Sequence, residues 1–142
     1  MPLKVIAAAA ALLVFSAGAA NAAVFNVTTS LRGANEVPPN TTTGKGTVSA
    51  TLDTSTKAFS YTVTYSGLTG PATAAHFHGP AAPGANAPPI ITIAGLASPI
   101  RGSTILTDAQ IADLKAGKWY FNVHTGDHPG GEIRGQLKVT TK

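Results

Sequence analysis

The sequence predicts an all-β domain: an antiparallel β-sandwich with one short helix. From Ala23 onward, short stretches rich in Val, Thr, Phe and Tyr alternate apolar with polar residues, and Gly and Pro separate them. Such alternation is typical of strands that bury one face, and closely spaced turn residues are typical of a sandwich. The chain of 142 residues contains no cysteine. Stability must therefore come from packing, with or without the help of a bound metal ion.

Seven stretches have the composition of strands. They are residues 24–31, 46–53, 58–65, 74–78, 90–93, 119–124 and 132–140. The Asp, Ser and Thr residues at positions 53–57 predict a hairpin between the second and third strands. Along the third strand Phe59, Tyr61, Val63 and Tyr65 alternate with hydroxyl residues, so the aromatic and apolar side chains share one face.

Two segments interrupt the strand pattern. Residues 79–89 are rich in Pro and Gly, which cannot continue a hydrogen-bonded ladder, so they predict a loop. Residues 108–116 predict a helix of one or two turns, with Thr107 as its N-cap and Gly117 at its C-terminal end. The loop begins directly after His78.

The first 22 residues have the layout of a secretory signal peptide: Lys4 precedes an apolar run, and small residues end it at Ala22. We predict cleavage there, which leaves residues 23–142 as one domain, either periplasmic or secreted, with no membrane span after processing. A membrane anchor is the less favoured alternative. The apolar run covers residues 5–20, whereas a spanning helix needs about 20 residues.

Charge and short motifs exclude several function classes. Ten Lys and Arg residues face six Asp and Glu residues, and the basic residues are scattered without interleaved aromatics, so we expect no nucleic-acid binding. The glycines at positions 44, 46, 67 and 70 lie beside β-type runs and not before helices, and the chain has no phosphate loop, dinucleotide fingerprint or nucleophile elbow. Residues 35–39 predict a strand-ending turn with one carboxylate, Glu36. We expect Glu132 and Arg134, two residues apart, to form an exposed ion pair.

The four histidines fall into two groups, His76 with His78 and His124 with His128. Residues i and i+2 of a strand share a face, so His76 and His78 project together while Phe77 enters the core. In the later strand Trp119, Phe121 and Val123 form the buried face, and Tyr120, Asn122 and His124 form the opposite one. His128 follows in a turn short enough to fold back toward His124.

This grouping predicts a metal site made of His76, His78, His124 and His128. Imidazoles without thiolates suit copper or zinc, and copper is favoured at nitrogen-rich sites by the Irving–Williams order. Asp127 is a candidate ligand or an outer partner that fixes a histidine tautomer. Any single histidine is more often an ordinary surface residue, so the prediction depends on the grouping.

Five blocks of the chain carry a family resemblance. They are residues 31–39 (LRGANEVPP), 65–68 (YSGL), 75–80 (AHFHGP), 119–125 (WYFNVHT) and 130–136 (GGEIRGQ). In this order they resemble the CHRD domain, the module first described in chordin, here as a stand-alone bacterial form. The resemblance implies an immunoglobulin-like or superoxide-dismutase-like sandwich but no defined biochemical role. The family pattern fits His76, His78 and His124, whereas it often has Asn where this chain has His128.

The histidine blocks are also similar to the copper site of Cu/Zn superoxide dismutase. That likeness implies a catalytic role for Arg134 in guiding an anion to the metal. The chain departs from the dismutase pattern, because it lacks a bridging histidine after His78, a zinc-ligand cluster and the disulfide cysteines. A copper-only site is compatible with these losses.

Three functions remain open from the sequence. The first is an exported copper-binding protein without catalysis, which the histidine grouping favours. The second is a copper-only dismutase-like enzyme, which requires an open coordination position and a nearby cation. The third is a metal-free module that binds another exported protein or a surface polymer.

Overall fold

The computed structural model describes residues 13–14 and 23–142. The predicted signal peptide and its cleavage point lie outside the described residues, apart from Leu13 and Val14. Among the described residues, no helix combines the length and the apolar character needed to cross a membrane.

Among the residues that the structure describes, there are nine strands, one α-helix and a single 3-10 turn at Gly33–Asn35. The strands and the α-helix are β1 (Val24–Arg32), β2 (Lys45–Asp53), β3 (Ala58–Ser66), β4 (Ala72–His78), β5 (Pro89–Thr92), β6 (Ile100–Ile105), α1 (Asp108–Lys115), β7 (Tyr120–Thr125), β8 (Ile133–Gln136) and β9 (Lys138–Thr141). The predicted all-β antiparallel class is confirmed. The strands form one curled sheet in the order β5-β4-β7-β8-β1-β2-β3-β6, and β9 pairs with β1.

Aromatic side chains hold the two halves of the curled sheet together. Phe59 on β3 meets Phe77 on β4 edge to face at 5.3 Å and Trp119 at 5.8 Å, measured between ring centroids. Phe121 packs against Phe77 at 4.7 Å, and all four side chains are fully buried. Burial of each such ring stabilises the fold by about 1.5–3 kcal/mol. The core therefore fixes the positions of β4 and β7, the strands that carry three of the four histidines.

Six of the seven predicted strands lie where the sequence predicted them. The seventh is divided in two, and one observed strand was not predicted. The predicted strand at residues 132–140 is two strands, because Leu137 leaves the ladder and donates its N–H to the carbonyl of Trp119. The structure also adds β6, which pairs with β3. Its sequence, IRGSTI, has glycine and polar residues where a strand pattern would need apolar ones.

The predicted helix is confirmed. Thr107 accepts a hydrogen bond from the N–H of Gln110, whose side chain bonds back to the Thr107 N–H, forming a capping box. Gly117 follows the helix with a positive φ of 74°, which glycine adopts without strain. Leu114 is fully buried, so the helix closes one end of the core.

Candidate metal centre

His76 and His78 lie on β4, which pairs with β5 on one side and β7 on the other. Phe77 between them is fully buried in the core, so the alternation of the strand turns both imidazoles to the opposite face. Their ring centroids are 5.2 Å apart. The predicted side-by-side placement of these two residues is confirmed.

His124 on β7 completes a cluster with the two residues of β4. The register pairs Ala74 with His124 and His76 with Asn122, so His124 is the diagonal neighbour of His76. The Nδ1 of His76 lies 3.2 Å from the Nε2 of His124. One ligand atom from each of His76, His78 and His124 lies within 4.8 Å of the other two.

The tautomer of His124 is fixed by the main chain. Its Nδ1 lies 2.9 Å from the carbonyl oxygen of Pro129, which can only accept, so Nδ1 carries the proton and Nε2 has the lone pair. The Nδ1–H of His76 then donates to that lone pair. If the two nitrogens instead bound one ion at about 2.0–2.1 Å, their 3.2 Å separation would subtend about 103°, close to a tetrahedral angle. The pair therefore fits a metal ion in place of the shared proton.

His78 is held more tightly than the other two rings. It is 7% exposed, and its ring stacks on Tyr120 with a centroid distance of 4.6 Å. Its Nδ1 lies 2.8 Å from the carbonyl oxygen of Ala87, and its Nε2 lies 2.9 Å from Oδ1 of Asn122. These contacts hold the ring beside the other two imidazoles, within the 4.8 Å that separates the ligand nitrogens of the cluster at most.

Electrostatics favour neutral imidazoles in the cluster. Burial lowers the pKa of His76 below its ordinary value, and the neighbouring His124 and His78 lower it further. Burial also lowers the pKa of His78, outweighing the hydrogen bonds to Ala87 and Asn122 that act in the other direction. Neutral imidazole is the form that binds metal, so protons compete weakly at neutral pH.

His128 and Asp127 lie in the turn after β7. The main-chain N–H and C=O of His128 bond to Thr125, and its C=O also accepts from the N–H of Gly131. His128 is not part of the three-histidine cluster found among the described residues. Asp127 is exposed, and the main-chain carbonyl of Pro129 is the group that fixes the tautomer of His124.

Arg134 is 2% exposed and lies behind the cluster. Its guanidinium donates to Oδ1 of Asn86 at 2.8 Å and to the carbonyl oxygen of Ala85, and it lies 3.5 Å from the centroid of the Tyr120 ring. Because β7 lies between β4 and β8, Tyr120 lies between His78 and Arg134. The guanidinium therefore makes its hydrogen bonds and its aromatic contact within the protein.

The predicted exposed ion pair between Glu132 and Arg134 was wrong. Glu132 is fully buried, and its carboxylate accepts hydrogen bonds from Thr42, Thr69 and Thr125. The two side chains alternate with Ile133 along the chain but are held by different partners, since Arg134 contacts the loop after β4. Both side chains are buried and hydrogen-bonded inside the protein. Their spacing in the sequence is the same as that of an exposed ion pair, so it could not predict their burial.

Glu36 is the residue near the site that sequence reasoning missed. The predicted turn at residues 35–39 is present, but Glu36 faces inward and is 5% exposed. Burial raises the pKa of Glu36 to about 7, although Arg134 nearby and a hydrogen bond with Asn122 oppose the shift. No local pattern identifies such a residue, because Asn122 is distant in sequence.

The loop at residues 79–89, predicted from its prolines, covers the outer side of the sheet beside the cluster. The N–H of Ala81 bonds to the carbonyl of Lys118, and the N–H and C=O of Ala87 both contact the hydroxyl of Tyr120. This cover explains why Tyr120 and Asn122 are buried although they lie on the outer face. His76 and His124 stay partly exposed, so the cluster opens to solvent on their side.

Comparison with known proteins gives one match. The model of the CHRD domain matches residues 27–137, which include β1 to β8 in whole or in part and the three clustered histidines. No curated protein and no solved structure matches the chain. The family resemblance read from the five sequence blocks is confirmed, and the chain belongs to the CHRD-domain family.

Proposed function

We propose that this chain is an exported metal-binding protein that holds one copper ion with His76, His78 and His124, and that zinc is the alternative ion. The observation that carries the proposal is the convergence of three imidazoles from two strands, with one ligand nitrogen of each within 4.8 Å of the others. Surface histidines without a shared role have no physical reason to gather in this way.

The donor set supports copper or zinc over other ions. Imidazole nitrogen suits both metals, whereas magnesium, calcium and manganese prefer oxygen ligands, and the three-residue cluster includes no carboxylate. Of the two favoured ions, copper binds more tightly to a given nitrogen site. A bound copper ion would supply a redox-active centre with the partly exposed side of the cluster facing solvent.

The contacts around the histidines support a site that is preorganised for an ion. Pro129 fixes His124 with its Nε2 lone pair toward His76, and burial keeps His76 and His78 neutral near pH 7. These features reduce the reorganisation and the proton competition that metal binding would otherwise face.

Titration of the protein with copper tests the proposal. We expect one equivalent to bind with a dissociation constant below about 1 μM, and His76→Ala and His124→Ala to weaken binding by at least tenfold. His128→Ala is the matched control, since this histidine is close in sequence to His124 but outside the cluster. Weaker binding by the wild type, or equal affinity in His76→Ala, would contradict the proposal.

The contacts of Arg134 support binding over dismutation. A cation that guides an anion to copper must present free N–H groups toward solvent, but this guanidinium donates to Asn86 and Ala85 and stacks on Tyr120. Assay of the copper-loaded protein for superoxide dismutation separates the two roles. We expect no activity beyond that of copper bound to an unrelated protein. A fast, salt-sensitive rate lost in Arg134→Ala would instead establish the enzyme.

Export is supported by the basic start, the apolar run and the small residues that precede Ala23. Expression of the full chain in a bacterial host, followed by mass spectrometry of the exported fraction, tests it. We expect a product that begins at Ala23. Recovery of only the uncut chain from the cytoplasm would contradict this part of the proposal.

A further inference from the structure

Hydroxyl side chains cover the outer face of the sheet on β9, β1, β2, β3 and β6. Val48, Ala50 and Leu52 of β2 are buried in the core, so the residues that alternate with them project away from it. The strand register continues this outer face onto the neighbouring strands. Its hydroxyl residues are Thr28, Ser30, Thr47, Ser49, Thr51, Ser60, Thr62, Thr64, Ser103 and Thr140. This hydroxyl face therefore presents both donors and acceptors of hydrogen bonds to solvent.

Basic residues that are scattered in the sequence gather on the hydroxyl face. Lys138 stands at one edge on β9, and Arg101 stands at the other edge on β6. Arg32 of β1 lies directly opposite Lys45 of β2. All four side chains are exposed. Since neighbouring strands lie about 4.8 Å apart, the two edge cations are separated by about 19 Å along the sheet.

Within the described part of the chain, no ion pair balances these positive charges. The one ion pair found there joins Lys57 to Asp108, outside the hydroxyl face. Asp53, at the end of β2, accepts hydrogen bonds within its own hairpin turn. Like charges directly opposite each other, such as Arg32 and Lys45, destabilise an antiparallel pair. An anionic ligand would remove this repulsion.

Two adjoining cavities run along the hydroxyl face. The larger has a volume of about 950 Å³ and is walled by the segment at residues 34–39 and by the tip of the loop after β4. The smaller, of about 370 Å³, lies at the Arg32–Lys45 pair. Ser30 and Thr47 line both cavities, so the two form one groove. Both volumes are in the range of about 300–1,000 Å³ that is typical of ligand sites.

The exposed charges of the groove are basic. Lys138 lines the larger cavity, and Arg32 and Lys45 line the smaller one. Glu36, the acidic residue of the lining, is only 5% exposed. The groove thus has cations toward both ends and hydroxyls between them. Its chemistry fits an elongated ligand with hydroxyl groups and repeated carboxylates, because Lys and Arg form strong charge-assisted hydrogen bonds with carboxylates.

We propose that this groove binds an acidic polysaccharide, a chain of sugar units that carry carboxylates. The carboxylates bind Lys138 at one end and the Arg32–Lys45 pair at the other, and the sugar hydroxyls bond to Ser30 and Thr47. The site is separate from the three histidines on β4 and β7, so binding does not depend on the proposed metal ion.

The lining of the groove favours a polysaccharide over the two other common polyanions. A membrane surface needs apolar side chains that insert into it, and the exposed large apolar residues, Leu13, Val14, Val24 and Ile105, do not line the groove. A single-stranded nucleic acid needs aromatic rings on which its bases stack. Tyr65, the aromatic residue of the lining, packs against the core and donates its hydroxyl to the carbonyl of Leu96.

Isothermal titration calorimetry of the metal-free protein with hexagalacturonate tests the proposal. We expect binding that weakens as salt is added, because the cations are exposed and therefore screened. Monomeric galacturonate cannot reach both ends of the groove, so it should bind at least about tenfold more weakly. Maltohexaose, a neutral chain of the same length, should not bind measurably.

Charge-removing variants locate the binding surface. The Arg32→Gln, Lys45→Gln double variant should weaken hexagalacturonate binding by about tenfold, as expected for two exposed ion pairs. The matched control is the Lys57→Gln, Lys115→Gln double variant, which removes two charges outside the hydroxyl face and should keep wild-type affinity. The first variant should unfold at a urea concentration no lower than that of the wild type, since it removes a like-charge pair.

The remaining outcomes decide against the proposal. No binding of hexagalacturonate by the wild type, equal binding of maltohexaose, or an equal loss in the control variant would overturn it. Binding to phosphatidylglycerol vesicles or single-stranded DNA in place of hexagalacturonate would overturn it as well and assign the face to another partner. His76→Ala should bind hexagalacturonate as the wild type does, which separates this result from the test of the metal site.

Discussion

Two buried glutamates on the same side of the molecule have opposite environments. Glu132 accepts hydrogen bonds from the hydroxyls of Thr42, Thr69 and Thr125 and from the main-chain N–H of Thr69. Burial alone would raise its pKa, but these hydrogen bonds outweigh that effect and hold the pKa below its ordinary value. Burial raises the pKa of Glu36 to about 7, because its contacts with Arg134 and Asn122 do not offset the loss of water.

The difference separates a buried carboxylate that is surrounded by hydrogen-bond donors from one that is not. Glu132 ties the segments around Thr42 and Thr69 to the end of β7, and each of its bonds stabilises the fold. Among the described residues, Oε1 of Glu36 has no hydrogen-bond partner. Burial alone therefore does not set the pKa of a carboxyl group, because the number of hydrogen-bond donors around it decides the direction of the shift.

The largest effect we expect is the loss of the Glu132 network. Glu132→Ala leaves three hydroxyls and one main-chain N–H without their acceptor. At about 1 kcal/mol for each donor, the free energy of unfolding should fall by about 4 kcal/mol. Urea denaturation followed by tryptophan fluorescence measures it. A loss below about 1 kcal/mol would mean that solvent reaches these donors.

Glu36→Gln should have the opposite sign at alkaline pH. With a folded pKa of about 7 against an ordinary 4.5, the native state keeps the proton between these values while the unfolded state loses it. The contribution of Glu36 to stability is therefore fully present below pH 4.5 and is lost as the pH rises to 7. Gln mimics the protonated form, so the variant should be more stable than the wild type by about 3 kcal/mol at pH 8.

Urea denaturation of the Glu36→Gln variant and the wild type at acidic pH is the control for this prediction. At pH 4 the Glu36→Gln variant and the wild type should unfold at the same urea concentration, since both then carry a neutral side chain at position 36. Glu132 should show the reverse trend, because the stability from its lowered pKa is present above pH 4.5 and is lost as the pH falls through its folded pKa. Equal stability of Glu36→Gln and wild type at every pH would contradict the assigned environment of Glu36.

A bound ion should stabilise the native state by linking β4 to β7. At a copper concentration one hundred times the dissociation constant, the gain is about 2.7 kcal/mol, or several degrees in the melting midpoint. Protons compete with the ion for the imidazoles, so the gain should shrink on acidification. Because the pKa values of His76 and His78 are lowered, the loss should begin below the pKa of about 6.5 of an ordinary histidine. Thermal melts with and without copper at pH 7.5 and pH 5 measure both effects.

A copper-induced shift of the same size at pH 5, or one that survives in the His76→Ala, His78→Ala double variant, would place the ion elsewhere.

The smallest expected effect concerns the space between Gly131 and Glu36. Gly131→Ala introduces a Cβ that overlaps both carboxyl oxygens at a φ that alanine rarely adopts, so it should cost about 2 kcal/mol. In a Glu36→Ala background the overlap with the carboxyl disappears, while the close contact with Nδ2 of Asn122 and the backbone strain remain. A double-mutant cycle by urea denaturation should therefore give a coupling of at least about 0.5 kcal/mol, and additive effects would contradict the contact.

The sequence predicted those parts of the fold and site that depend on local alternation. The period of two along β4 and β7 placed His76, His78 and His124 on one face and Phe77 and Phe121 in the core. It could not reveal the break at Leu137, because the apolar period continues through that residue while only its hydrogen bonding changes.

The surroundings of the cluster were not predictable for a different reason. Ala87 and Pro129 contact the histidines through main-chain carbonyls, which have no sequence signature. Glu36 lies near Asn122 only because β8 pairs with β1 on one side and with β7 on the other, which brings distant segments together. The hydrogen-bond partners of Arg134 come from the loop after β4, which has no sequence signature that would connect it to β8.

The central claim is that three imidazoles from β4 and β7 bind one ion. X-ray absorption at the copper edge, on protein loaded with one equivalent at pH 7.5, counts imidazole ligands directly from their multiple-scattering pattern. We expect three imidazoles in the wild type, three in His128→Ala, and two in each of His76→Ala, His78→Ala and His124→Ala. A spectrum without imidazole scattering, or one unchanged by all three single substitutions, would contradict the account.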